Sequence, residues 1–136
     1  MASELRVNTL KDASGNNSIG LSYVAEGSAK AWVNFNGSSV TSDADLAGVR
    51  DSFNLTSIVD NGTGDHSITI ANNMSNANYA HAGSSGGQNG TSNGNVYAYD
   101  QQTARTATLF RIATFDVNGT FNDTPNIDIN VHGDLA

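Results

Sequence analysis

The chain has 136 residues, 38% of them hydrophobic, with 6 Lys and Arg against 13 Asp and Glu and a formal net charge of -7. That length suits one domain burying roughly two thirds of its unfolded surface and leaves no room for two. The acidic balance, with scattered basic residues, argues against a nucleic-acid partner, because phosphate neutralisation needs clustered Lys and Arg.

Asn, Ser, Thr and Gly make up about two fifths of the chain and Pro occurs once, which favours turns and short strands over helices. There is no cysteine, hence no disulfide framework and no thiolate chemistry. The polar start, Met1-Ala2-Ser3-Glu4-Leu5-Arg6, lacks the apolar core of a signal peptide, and no run of about 18 apolar residues follows. Synthesis in the cytoplasm without membrane insertion is the expectation.

From the N-terminus, Leu5, Val7 and Thr9 alternate with Arg6, Asn8 and Leu10, and Ile19, Leu21 and Tyr23 alternate with Ser18, Gly20 and Ser22. Two such runs around the polar segment 11–17 predict a hairpin. An isolated hairpin is marginal in water, so the apolar side carrying Leu5, Val7, Ile19, Leu21 and Tyr23 needs a cover. Residues 29–36 fit a capped helical turn with Trp32 and Phe35 three apart. They fit equally a strand on which Ala31, Val33 and Phe35 alternate, and the strand is preferred.

Stronger strand signals follow. Ser52 to Val59, the turn Asp60-Asn61-Gly62-Thr63-Gly64-Asp65 and His66 to Ala71 predict a second hairpin. Ala77 to Ala82 predicts a strand, and residues 83–95, without one apolar side chain, an exposed loop. Val96 to Asp100, Thr106 to Val117 and Ile127 to Gly133 complete the set, with a turn at Asn118-Gly119. The pattern predicts an all-β chain: an N-terminal β-hairpin arm over 1–27, an aromatic connector over 28–50 and a compact antiparallel β-sandwich, jelly-roll-like, over 51–136. The expected core is Phe53, Leu55, Ile58, Ile68, Ile70, Tyr79, Phe110, Ile112, Phe115, Ile127, Ile129 and Val131.

Three stretches carry a resemblance: SELRVNTLKDASGNNSIGLSYVAEGSAKAWVNFNG (residues 3–37), DSFNLTSIVDNGTGDHSITIANNMSNANY (51–79) and His132-Gly133-Asp134-Leu135-Ala136. They resemble short structural proteins of tailed bacteriophages, especially marine and cyanobacterial ones, of the tail-fibre or tail-associated kind. The resemblance implies a non-enzymatic virion component that assembles as a homotrimer with other phage virion proteins, with a host-surface glycan or protein as a further partner. A capsid decoration or head-fibre subunit is the rival within the same class. Trp32 and Phe35 lie in the shared part of that signature, so they are assigned to core or subunit interface along with the hairpin residues.

Candidate chemistry is thin. Residues 60–65 superficially suggest a calcium loop, but the twelve-residue pattern with its closing Glu is missing and Asn61-Gly62 suits a tight turn. His66, His81 and His132 have no metal-type spacing. The Gly-rich stretch 83–95 lacks the G-K-[ST] ending of a phosphate loop, so no cofactor is expected. No nucleophile elbow surrounds a Ser, and no cleft-forming motif surrounds a carboxylate pair. Receptor contact, if the chain makes one, is expected from Gln88, Asn89, Asn93 and Asn95 of the mobile loop with Tyr97 and Tyr99 beside it, since Ser, Gly and Asn adapt and Tyr stacks. A half-buried strand face is the plainer reading of the Tyr pair.

Overall fold

The computed structural model describes residues 6–40, 46–87, 96–99 and 104–136. It opens with a hairpin of β1 (Thr9–Lys11) and β2 (Ser18–Gly20), with Leu10 directly opposite Ile19. The loop between them closes on Asp12, whose carboxylate accepts from Ser14 Oγ at 3.1 Å, the Asn16 amide at 3.0 Å and Asn17 Nδ2 at 2.7 Å. Leu21 and Tyr23, expected on the second strand, lie instead in the short helix α1 (Leu21–Gly27). Gly20, extended at φ -66° and ψ 143°, is the N-cap, and past it Leu21, Ala25 and Glu26 are good helix formers that no partner strand holds extended. Lys30 Nζ donates to the Ala25 and Ser28 carbonyls, a cation where a helix end leaves acceptors unpaired.

Eight further strands follow: β3 (Ala31–Phe35), β4 (Val49–Phe53), β5 (Leu55–Gly62), β6 (Asp65–Ile70), β7 (Ala80–Gly86), β8 (Val96–Tyr99), β9 (Leu109–Phe115) and β10 (Asn126–His132). They form two four-stranded antiparallel sheets, ordered β4-β3-β10-β7 and β5-β6-β9-β8. The fold is all-β, an N-terminal hairpin arm followed by a compact sandwich, jelly-roll-like in setting two four-stranded sheets face to face. Its interior is one cluster in which Ala31, Val33 and Phe35 of β3 and Ile127, Ile129 and Val131 of β10 meet Ile58 of β5, Ile68 and Ile70 of β6, and Phe110 and Ile112 of β9. Each large side chain buried this way contributes roughly 1.5–3 kcal/mol.

Several expectations are corrected. The segment 28–50 is no connector, because β3 sits in the first sheet between β4 and β10 and its alternate residues are core. The sandwich therefore begins at Ala31. Phe35 is fully buried and is a core residue, not an interface candidate. Phe53, expected inside, is 54% exposed, because its register partner Trp32 lies on the side of β3 opposite the core set. Phe115 likewise turns outward, 4.5 Å from the Phe121 ring. Residues 83–86, assigned to the loop on composition, continue β7, where β10 supplies the hydrogen bonds that side-chain burial does not.

Between β4 and β5 the chain passes from one sheet to the other in a single residue. Asn54 has φ 58°, a left-handed conformation that Asn tolerates better than most residues. Its Nδ2 donates to Lys30 O at 2.8 Å, while its Oδ1 accepts from the Asn72 amide at 2.7 Å. The corner thus ties the start of β3 in one sheet to the end of β6 in the other.

Candidate functional site

The N-terminal arm is the first surface of interest. From Arg6 to Ser28 no residue is buried. Ile19 and Leu10, facing each other across the hairpin, are 45% and 41% exposed, and Tyr23 on α1 is 72% exposed. Val7 and Leu21 are half-buried, and Leu5 lies outside the described residues. A hairpin and a two-turn helix offer little area on which to bury a face, so the arm displays its apolar side chains while the sandwich has its own closed core.

The second surface is the outer face of the first sheet. Inward placement of Ala31, Val33 and Phe35 turns Trp32 and Asn34 outward, and the register aligns them with their neighbours in rows. One row, edge to edge, is Phe53, Trp32, Asn130 and Ala82; the next is Asp51, Asn34, Asp128 and Ser84. The polar row is a connected network. Asn34 Nδ2 donates to Asp128 Oδ1 at 2.5 Å, Ser84 Oγ donates to Asp128 Oδ2 at 3.4 Å, and Arg50 donates to Asn34 Oδ1 at 3.2 Å and to the Pro125 carbonyl at 2.6 Å. Trp32 is half-buried on this face, which removes it from the core, one of the two places the sequence assigned to it. Phe53, Asn130 and Asp128 were missed as surface partners, because a strand's own alternation shows which face a residue takes but not what stands beside it on the next strand.

The third is the edge formed by β7 and β8. Tyr97 turns between the sheets, its hydroxyl 2.7 Å from His81 Nδ1 and its ring so close over Gly83 that a Cβ there would meet it at 2.7 Å. The plainer reading of Tyr97 as a half-buried strand residue is the one its placement matches, and burial pushes its hydroxyl pKa upward. His81 stacks on Phe110 with ring centroids 4.8 Å apart. Desolvation, then the charge of Arg105, lowers its pKa from 6.5 to about 4, so the ring is neutral at pH 7. Gln88, Asn89, Asn93 and Asn95 lie outside the described residues, as does the side chain of Tyr99.

The tight turn of the β5–β6 hairpin is Thr63-Gly64, and Asn61-Gly62, expected to form it, ends β5 instead. Asp60 Oδ1 accepts from the Gly62 amide at 2.8 Å, and Asp65 is clasped by Arg111, whose Nε donates to Oδ1 at 2.6 Å and whose second nitrogen donates to Oδ2. Against a desolvation cost, the hydrogen bonds from Arg111 and Asn61 hold the Asp65 carboxyl below the usual range. Gly64, at φ 68°, leaves no space for a side chain, since a Cβ would lie 2.4 Å from the Thr114 carbonyl. His66, on the inward register with Ile68 and Ile70, is fully buried against the edge of Phe35, with Nε2 3.4 Å from the Gly37 carbonyl. Its Nδ1 and the Thr124 hydroxyl have no hydrogen-bond partner among the described residues. His132 is exposed.

Among the described residues no three His, Cys, Asp or Glu side chains converge as metal ligands would, and no helix is long and apolar enough to cross a membrane. No family model, no curated protein and no solved structure matches the chain.

Proposed function

We propose that the chain is a non-enzymatic structural subunit of a tailed-phage virion, a trimeric tail-fibre or tail-tip component involved in host attachment and mounted through its N-terminal arm. The observation that carries this reading is the uncovered arm, whose Leu10, Ile19 and Tyr23 stay exposed although the sandwich has a complete core of its own. A lone hairpin gains too little burial to hold its shape in water, so a partner surface is needed. Three copies around an axis supply one and also pair strand edges that would otherwise stay open. Several weak contacts from one assembly then add by multivalency at the host surface. The resemblance of residues 3–37 and 51–79 to phage tail-associated proteins supports the same reading, with other virion proteins as partners and the virion as the location.

Two measurements test it. Sedimentation equilibrium at micromolar concentration is expected to give three times the chain mass of 14.1 kDa, and a monomer would sink the trimer. Electron microscopy of particles carrying a labelled chain is expected to show density at the tail. Density spread over capsid faces would assign the chain to decoration of the shell instead, and the absence of label from particles would overturn the virion reading altogether.

A further inference from the structure

The outer face of the first sheet combines two chemistries in adjacent rows. Phe53 and Trp32 present aromatic surface, while Asp51, Asn34, Asp128 and Ser84 present hydrogen-bonding groups one row away, with Asn130 and Ala82 completing the aromatic row. Rows two residues apart are separated by roughly 7 Å, and four strands span about 14 Å across the sheet. On β7 the outward positions are Ala80, Ala82, Ser84 and Gly86, so that side of the platform has no tall side chain to block a ligand lying across it.

We propose that this face binds a neutral oligosaccharide. A sugar ring has an apolar side of C–H groups, which stacks on an aromatic face, and a rim of hydroxyls. Carboxylates and amides take those hydroxyls as donors and acceptors at once. The acceptors here are already fixed in place, since Asn34 and Ser84 both donate to Asp128 and Arg50 holds Asn34. Fixed groups lose little entropy when a ligand arrives. Charge narrows the ligand class. Asp51 and Asp128 stand on the face of a chain with a net charge of -7, and Arg50 is committed to Asn34 and the Pro125 carbonyl, so phosphate-rich and acidic polymers are repelled. A second copy is a poorer occupant, because a two-fold contact through this face would oppose its own carboxylates and bury only two large apolar side chains from each copy.

The proposal deepens the virion reading by naming a ligand class, and rests on that reading only for where the glycan would come from. It also moves the contact away from residues 88–99 to the sheet. Trp32 is the single tryptophan, so its fluorescence reports on this face alone. The full chain would be titrated with maltohexaose, cellohexaose, laminarihexaose and mannohexaose, and with an oligogalacturonate of similar length as the anionic control. A saturable blue shift is expected with at least one neutral sugar, and none with the anionic one. Phe53→Ala, at an exposed position, is expected to keep its thermal melt and weaken binding by about tenfold. Asp128→Asn is expected to weaken it several-fold while leaving the stacking partner intact.

No shift with any neutral sugar up to about 20 mM, a range that covers weak millimolar binding, would overturn the proposal. So would binding that Phe53→Ala leaves unchanged. A fall in sedimenting mass on Phe53→Ala, with Trp32 unresponsive to sugar, would mark the face as a contact between copies and also overturn it. The titration uses isolated protein, so its failure leaves the electron-microscopic test standing, and a chain found outside the virion leaves the titration valid.

Discussion

The β1–β2 hairpin and the β5–β6 hairpin place the same kind of pair in the same kind of ladder. Leu10 faces Ile19 in the first, and Ile58 faces Ile68 in the second. The first pair is 41% and 45% exposed, while both members of the second are fully buried. Strand pattern and turn chemistry therefore do not decide burial. A second layer does: Ile58 and Ile68 lie under β3 and β10, whereas no residue of the arm from Arg6 to Ser28 is buried by the described residues.

That contrast can be broken from either side. The largest effect is expected at Ile68→Ala, about 2–5 kcal/mol of lost stability in urea denaturation, because the buried side chain leaves a cavity between two packed sheets. A change under about 1 kcal/mol would mean that the sheets are not closed on each other. Next comes Asn54→Ala, expected to cost about 2–3 kcal/mol through the lost side-chain hydrogen bonds to Lys30 and Asn72 and a strained left-handed residue. Asn54→Gly should recover only the backbone share. If Ala and Gly cost the same, backbone strain plays no part in the corner.

Acid gives a smaller effect on the same sandwich. The unfolded chain protonates His81 near 6.5, whereas the folded chain holds it neutral until about 4. Stability from this group is therefore complete above pH 6.5, falls as the pH drops from 6.5 to about 4, and is flat below. For a half-exposed ring the loss is discounted to about 1–2 kcal/mol. His81→Gln, which keeps a hydrogen-bonding group beside Tyr97 but does not titrate, should flatten that part of the thermal melting profile, and an unchanged slope would remove His81 from the account. The smallest effect on folding is expected in the arm. Leu10→Asp should change the sandwich's unfolding free energy by no more than about 0.5 kcal/mol, yet lower the sedimenting mass if the arm is the assembly surface. A large stability loss with unchanged mass would show the arm to be packed on its own sandwich.

Period-two alternation was enough to place Ile68, Ile70, Phe110, Ile112, Ile127, Ile129 and Val131 in the core. Asn118-Gly119 marked one turn, while the segment 60–65 contained another that falls at Thr63-Gly64, two residues past the Asn61-Gly62 pair that suggested it. The same rule carried His66 inward with its neighbours, a placement that alternation already contained although histidine by type suggests a surface. Composition misled at residues 83–86, where a glycine-rich strand survives because β10 pairs along its whole length and Tyr97 fills the space over Gly83. Of the surfaces, the arm was legible, since an isolated hairpin advertises its own lack of cover. The sheet face was not, because its two rows are assembled from four strands distant in sequence.

By itself, then, the amino-acid sequence determined the all-β class, most of the turns and buried side chains, and the acidic charge balance. These follow from properties local to each segment: alternation, glycine and asparagine chemistry, and summed charge. Only the tertiary structure decided that residues 31–35 are core rather than connector, that Phe53 stands outside, and that Trp32 shares a platform with Asp128 and Asn130. Which strand lies beside which is set by packing two whole sheets against each other, and no single strand carries that information.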